Sequence, residues 1–362
     1  MDKLEEAREK INEIDKTMAE LFCKRMEAVK QVAESKQEMG LPVLNLKRED
    51  EVINRNTKFV KSPELRSYYV NFLKYTMDLS KSYQHRLLKG IRVAYSGVPG
   101  AFANIAAKRI FPDGTPVAYD GFRAAYNAVE SGECDCAVLP IENSFAGDVT
   151  QVMDLSFFGS LFINGVYDLE IMQNLIGVPG ASVRDVSEVI SHPQALGQCD
   201  EYIRTHGFMK TEASNTAAAA LTVAKRGDKS IAAIASEETA KLYNLQVLER
   251  AINQSANNTT RFAVFSRIKN ESPKDRRFIM FFTVNNTAGS LGAAISVLGK
   301  HNLNLRALKS RPTKSLSWEY YFFAEGDGNL TGDNGKEIIN ELKKQCSSLK
   351  VIGSYQKEIS LK

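Results

Sequence analysis

Glycine and proline, the residues that interrupt regular structure, are nearly missing from one quarter of the chain. Of 23 glycines only Gly40 and Gly90 fall in the first ninety residues, and of ten prolines only Pro42 and Pro63. A stretch so poor in breakers, and rich in Leu, Glu, Lys and Met, has to be helical. Within it Leu4, Ala7, Ile11, Ile14, Met18 and Leu21 recur at alternating steps of three and four, the seam of a long amphipathic helix. Continued to residue 38 and stopped by Gly40 and Pro42, that helix is on the order of 50 Å long. A second helix is expected over residues 48–60, and Pro63-Glu64 opens a third reaching residue 88. Three such helices cannot bury the stripe alone, so a homodimer or higher homo-oligomer is expected.

The rest of the chain has a different character. Its 362 residues exceed what one core usually serves. Charge also divides by segment: +3 over 1–90, −5 over 91–268 and +6 over 269–362. The polar run 269–275 reads as a linker, giving expected domains at 1–90, 91–268 and 277–362. In the middle segment short apolar runs at 91–95, 137–141, 189–191 and 231–235 alternate with helical stretches at 101–111, 195–206 and 216–225, the pattern of a parallel-rich α/β domain. The last segment reads strand, helix, strand, strand, helix, strand, over 277–284, 290–301, 303–310, 318–324, 334–346 and 349–357. This is the βαββαβ order of a ferredoxin-like α+β unit.

Several function classes lose support. A net charge of +4 gives no electrostatic reason to bind nucleic acid. No apolar run is long enough for a membrane helix, and MDKLEEAREK is too charged for a secretory signal. Five cysteines stand scattered without a CxxC pair, and four histidines lie far apart. Neither a disulfide framework nor a metal is expected, and a reducing cytoplasm is the default.

Past Leu21 the next seam position is Arg25, where a cation needs an anion or a route to water. Arg8, Lys36 and Arg48 taken singly read as solvated helix charges. Together, Arg8 with Ile11, Ile14 and Asp15, then Arg25, Lys36, Arg48-Glu49, and Ser80 with Gln84 resemble the all-helical chorismate mutases over residues 4–88. The resemblance implies an intertwined dimer in which Arg8 reaches the partner's site. It also implies that Arg8, Arg25 and Arg48 hold the carboxylates of chorismate, Lys36 and Gln84 meet the ether oxygen, and Glu49 takes the ring hydroxyl. Asn45 stands where that family often has aspartate.

In the middle segment, Gly97-Val98-Pro99-Gly100-Ala101-Phe102 between strand and helix is either a plain tight turn or an anion-facing one. Pro140-Ile141-Glu142-Asn143-Ser144 follows a buried-strand pattern, where α/β clefts form. His192 in Ser191-His192-Pro193-Gln194 is a structural hydrogen-bonding group or a general base, and Asn215-Thr216 an N-cap. With Thr259-Thr260-Arg261-Phe262, these motifs resemble prephenate dehydratase over 91–268. That resemblance implies two lobes like a periplasmic binding protein and makes Thr260 the proton or hydrogen-bond donor to the departing hydroxyl. Arg261 then pairs a carboxylate or fixes the lobes, with Glu142, Asn143, Ser144, Ser191, Gln194 and Thr216 lining the cleft for prephenate. The Gly-Val-Pro-Gly-Ala form is nearer the plant arogenate dehydratases, so arogenate is an alternative substrate.

Thr287-Ala288-Gly289-Ser290-Leu291, Asn302-Leu303-Asn304-Leu305 and Lys309-Ser310-Arg311-Pro312 resemble an ACT domain. This implies that phenylalanine binds as effector near Gly289, Ser290, Leu291, Asn304, Lys309, Ser310 and Arg311. Lys309 reverses the glutamate usual there, and is expected beside the effector pocket. The combined expectation is a cofactor-free enzyme that converts chorismate to prephenate and on to phenylpyruvate under phenylalanine control. Two rival readings are a dehydratase with a merely dimerising helical segment, and an amino-acid-binding sensor.

Overall fold

The computed structural model describes residues 2–39, 41, 43, 46–254, 258–313 and 320–361. Gly40, Pro42, Asn45, Trp318 and Glu319, which carried expectations above, lie outside the described residues. The chain divides into two compact units, residues 1–92 with 113–115, and 93–112 with 116–362.

The first unit consists of helices Lys3–Glu38, Leu46–Thr57 and Arg66–Lys89. Asp2 caps the long helix by accepting from the Leu4 N–H, and Glu5, Glu6 and Lys36 match its dipole. Only toward its C-terminal half, at Val29 and Ala33, does this helix bury side chains completely. The predicted seam residues Leu4, Ile11, Ile14, Met18 and Leu21 are 45% to 58% exposed.

The second unit holds two sheets. The smaller has the order Gln246–Glu249, Asn174–Gly177, Ile231–Ala235, Glu188–Ser191 and Met209–Glu212. The larger runs Asn304–Pro312, Tyr320–Asp327, Arg277–Thr283, Ser348–Tyr355, Phe162–Glu170, Thr259–Ser266, Cys136–Asn143, Arg92–Ser96 and Thr115–Tyr119. The chain leaves the large sheet after Glu170, builds the small one, and returns through Thr259–Ser266. Because that strand comes back from the opposite direction, it lies antiparallel to both neighbours. The sheets are therefore mixed rather than parallel-rich. The helix expected over 195–206 is two helices, Pro193–Gln198 and Asp200–His206, because Cys199 takes φ −111° and ψ 15° between them.

The βαββαβ order is present, with helices Ser290–Lys300 and Gly332–Gln345. A further strand not foreseen, Ile359–Leu361, runs parallel to Phe162–Glu170. The run 269–275 does not hold this segment at a distance. Ser348–Tyr355 meets Phe162–Glu170 at Gly353 and Ile163, where a Cβ on Gly353 would come within 3.1 Å of the Ile163 carbonyl. Phe281, Tyr321, Phe323 and Ile352 share one core with Leu139, Val166 and Phe265. Tyr321 stacks on Phe157 with ring centroids 4.1 Å apart. Each such ring contributes about 1.5–3 kcal/mol of burial, so the joint is a core and not a tether.

Glu325, on Tyr320–Asp327, is a buried carboxylate in this joint. It accepts from Arg261 at 2.7 Å and 2.9 Å and from the Tyr355 hydroxyl. Burial alone would raise its pKa, but Arg261 and the Tyr355 hydroxyl hold it below the usual glutamate range. A depressed folded pKa stabilises the fold above the unfolded value and is lost as pH falls through the folded one. Glu325→Ala is expected to cost about 1–3 kcal/mol at neutral pH, since the Tyr355 hydroxyl and two Arg261 N–H groups lose their acceptor while Glu142, Asp168 and Glu358 still neutralise the guanidinium. Glu325→Gln should flatten the fall in melting temperature below about pH 5. Equal pH slopes in thermal melts of parent and Glu325→Gln would refute the assignment.

Candidate active sites

In the helical unit the long helix and Arg66–Lys89 bring Arg25 against Ser80, whose hydroxyl accepts from the guanidinium and donates to the Thr76 carbonyl at 2.7 Å. Among the described residues Arg25 has no carboxylate partner, and burial lowers its pKa. Gln84, one turn on, is 7% exposed. Its Nε2 donates to the Ser80 carbonyl at 3.3 Å, while its buried Oε1 has no partner among the described residues. Lys36 donates to the Val43 carbonyl at 2.6 Å. Burial lowers its pKa, against the attraction of Glu49. Glu49 pairs with Lys81 at 3.0 Å, a cation that the sequence reading missed. Arg48 is turned to Glu51 at 3.2 Å on the surface, and Arg8 is exposed. One chain thus gathers Arg25, Ser80 and Gln84, and sets Lys36 near Glu49. It does not bring Arg8 to them.

In the second unit a cavity of about 960 Å³ is walled by both sheets' loops. Thr260 and Asn143 face it from paired strands, in register with each other. Asn143 Nδ2 donates to the Thr260 hydroxyl at 2.9 Å and to Asn258 Oδ1 at 2.9 Å. Its Oδ1 accepts from the Phe145 and Ala146 N–H groups at 3.0 Å and 2.8 Å, which fixes the amide's orientation. Gln194 and Thr216 line the cavity as expected, and Gln194 Nε2 reaches Asn143 Oδ1 at 3.4 Å. Thr216 begins helix Thr216–Arg226, capped by Asn215.

Four cleft assignments need correction. Glu142 and Arg261 do not line the cavity, because consecutive strand residues face opposite sides. With Asn143 and Thr260 inward, Glu142 and Arg261 point out of the back and pair at 3.2 Å. Ser191 is wholly buried and donates to the Ile234 carbonyl at 2.6 Å. Ser144 is exposed and accepts from the Thr259 N–H at 2.9 Å. These hydroxyls hold strands together. Gln173 and Gln198 were not picked out, yet both line the cavity; Gln173 Oε1 is buried without a partner among the described residues. Gln198 lies inside the Ser-His-Pro-Gln run's continuation and could have been suspected, whereas Gln173 follows a strand with no motif around it.

The cavity wall, among the described residues, contains no Lys or Arg, and its carboxylates are Asp120 and Asp148. His192 also lines it, but as the cap of helix Pro193–Gln198. Its Nδ1 accepts from the Gln194 N–H at 3.2 Å, and burial lowers its pKa, so the ring is neutral at pH 7.

Of the expected effector residues, Gly289 takes φ +86° at the start of helix Ser290–Lys300. Ser290 shares a 2.6 Å hydroxyl contact with Thr287, and Leu291 lines a small cavity of about 290 Å³ with Phe322 and Tyr320. Asn304 pairs with Asp327 in register with Arg277, at the other end of the seven-residue strand from Thr283. It is therefore about 20 Å from Gly289 within one chain. Lys309 is corrected more sharply. It and Arg311 project from alternate positions of their strand toward the middle segment, Lys309 onto Glu142 and Asp148, Arg311 onto Asp154. Ser310, between them, faces solvent.

Comparison with known proteins adds the following. A family model for prephenate dehydratase matches residues 93–270, and one for chorismate mutase type II matches residues 7–85. The bifunctional chorismate mutase/prephenate dehydratase of Enterobacter agglomerans is 30% identical, over 97% of this chain and 95% of its own. Arogenate dehydratase/prephenate dehydratase 1 of Arabidopsis thaliana is 31% identical, over 74% of this chain and 73% of its own. The solved prephenate dehydratase of Arthrobacter aurescens, in complex with L-Phe, is 25% identical with a TM-score of 0.68, covering 74% of this chain and 90% of that one.

The capping geometry of His192 generates a test. His192→Asn keeps a cap and should retain turnover in the cavity within about threefold, while His192→Ala should cost about 1 kcal/mol of stability. A hundredfold loss in a folded His192→Asn enzyme would instead make the imidazole an acid or base.

Proposed function

The chain belongs to the family of bifunctional chorismate mutase/prephenate dehydratases, and from that premise we propose how its residues divide two consecutive reactions of phenylalanine biosynthesis. The helical segment, residues 1–90, rearranges chorismate to prephenate. Segment 91–268 converts prephenate to phenylpyruvate, carbon dioxide and water. Residues 277–362 form a phenylalanine-binding ACT domain.

The rearrangement needs no nucleophile. It needs the compact conformer held, and the charge growing on the ether oxygen stabilised. Arg25, half-buried beside Ser80 and without a carboxylate partner among the described residues, offers a substrate carboxylate a bidentate partner. Lys36 and Gln84 donate to the ether oxygen, and Glu49 accepts from the ring hydroxyl. Arg8 and Arg48 complete carboxylate binding, Arg8 from a second copy. The exposed stripe Leu4, Ile11, Ile14, Met18 and Leu21 supports this homodimer, since isolated soluble helices do not leave such a seam in water.

The dehydratase reading rests above all on one observation, the Asn143–Thr260 bond in the cavity wall. Because the Thr260 oxygen accepts from Asn143, its own proton is left to point into the cavity. There it donates to the departing ring hydroxyl, which leaves as water with that proton, and the threonine oxygen regains one from solvent before the next turnover. The carboxylate carbon leaves as carbon dioxide, its bonding electrons entering the ring, and aromatisation supplies the driving force. The oriented amide lends the hydroxyl the polarity that an isolated threonine lacks. Gln194 and Gln173 meet the substrate's oxygens, with Thr216 at its helix start.

Phenylalanine as effector, bound between two ACT domains, is consistent with the separation of Gly289 from Asn304. A second copy can bring one chain's Asn304 toward the other's Gly289, Ser290 and Leu291.

Two substitutions separate the reactions. Thr260→Ala should lower phenylpyruvate formation at least a hundredfold while chorismate is still consumed, and Thr260→Ser should keep most of the rate. Arg25→Ala should lower chorismate turnover by a comparable factor and spare prephenate dehydration. Chorismate loss and phenylpyruvate formation are followed separately; a fully active Thr260→Ala enzyme would remove the threonine from the chemistry.

A further inference from the structure

We propose that Lys309 is a specificity-determining residue of the dehydratase site. Its ammonium, delivered from the C-terminal segment, cancels the charge of Asp148 and Glu142 and so admits a substrate that carries two carboxylates. The inference rests on the reading of the Thr260 cavity as the dehydratase site.

Lys309 Nζ lies 2.5 Å from Asp148 and 2.8 Å from Glu142. Asp148 is part of the cavity wall, and pairs across the strand with Glu142, one residue from the Asn143 that orients Thr260. The ammonium also sits 5.8 Å over the Phe323 ring, which limits water on that side. With no Lys or Arg among the described residues of the wall, an uncompensated Asp148 would meet an incoming dianion directly.

Among the described residues, the neighbouring cations are already engaged elsewhere. Arg261 is shared among Glu142, Asp168, Glu325 and Glu358. Arg277 and Arg306 are both engaged by Asp327 and Glu358. In this network six carboxylates (Glu142, Asp148, Asp168, Glu325, Asp327, Glu358) share four cations (Arg261, Arg277, Arg306, Lys309), so removing one leaves acid, not base, in excess. The same charge logic bears on the choice of substrate. Arogenate carries an ammonium where prephenate carries a keto oxygen, so a more negative wall repels it less.

The test uses the full chain and steady-state kinetics on prephenate and arogenate, after Thr260→Ala has been shown to abolish turnover. Turnover that survives Thr260→Ala would defeat the site reading itself, a failure distinct from the one sought here. Lys309→Met should raise KM for prephenate on the order of tenfold, as expected for one unscreened charge near a partly buried site, with kcat changed far less. The ratio of kcat/KM for arogenate over prephenate should rise by a similar factor. Lys309→Arg should behave like the parent, and adding Asp148→Asn to Lys309→Met should restore most of the affinity. Asp148→Asn alone should lower KM for prephenate or leave it, which covers the case of a poorly folded Lys309→Met protein. An unchanged KM in Lys309→Met, a double variant as impaired as the single, or a raised KM in Asp148→Asn alone would each overturn the proposal.

Discussion

The back-to-back placement of Thr260 and Arg261 governs the larger unit. Neighbouring residues of one strand must face opposite ways, so a hydroxyl turned into the cavity obliges the next side chain to leave through the rear. There it is a guanidinium, 20% exposed, that cannot be left without anions. Glu142 and Asp168 of neighbouring strands supply two of them, and the C-terminal segment adds Glu325, 2% exposed, and Glu358 at 3.5 Å. An arginine suits this place better than a lysine because its planar fork can serve several carboxylates at once. Opposing charges on its partners raise the Arg261 pKa despite burial, so the group is never neutral in the folded chain.

That arrangement ties a βαββαβ segment to the rear of the cavity wall. Its sheet continues the sheet that walls the cavity, its aromatic rings share the same core, and its Glu325 helps to neutralise the arginine behind the Thr260 strand. Buried ion pairs add little net stability compared with apolar packing, but they set geometry strictly. Here the geometry is that of the strand whose hydroxyl faces the cavity. Glu325 links the Tyr320–Asp327 strand directly to Arg261, so the positions of the two strands are fixed together.

Much of this was legible in the residues, and the illegible part has a physical pattern. Scarce glycine and proline, with a three-four seam, sufficed for the helical unit; the βαββαβ order followed from apolar periodicity, and Thr260, Asn143, Gln194 and Thr216 from motifs. What a motif cannot carry is direction. Glu142 and Arg261 sit inside the right motifs, and only the strand register assigns them to the rear. Lys309 was expected beside an effector, since its partners Glu142 and Asp148 lie 167 and 161 residues away. No local pattern records a contact so distant. The same holds for Thr259–Ser266, whose antiparallel course depends on the excursion through the small sheet and not on its own residues.

The two chemistries also place opposite demands on charge. In the helical unit, among the described residues, Arg25 has no carboxylate partner and burial lowers the Lys36 pKa, which on the proposed reading suits a dianion. In the larger unit the wall, among the described residues, carries amides, hydroxyls, helix starts and the carboxylates of Asp120 and Asp148, and Arg261 and Lys309 are kept behind it. A rearrangement that leaves the substrate's charges in place can tolerate permanent counter-ions. A reaction that expels one carboxylate as neutral carbon dioxide cannot, because a cation fixed on that group would hold the ground state more tightly than the transition state. On the proposed reading, amides and hydroxyls at the front, with Asp148 and Glu142 offset by Lys309 and Arg261 from the rear, meet that requirement, and Arg261 is accordingly found behind the cavity and not in it.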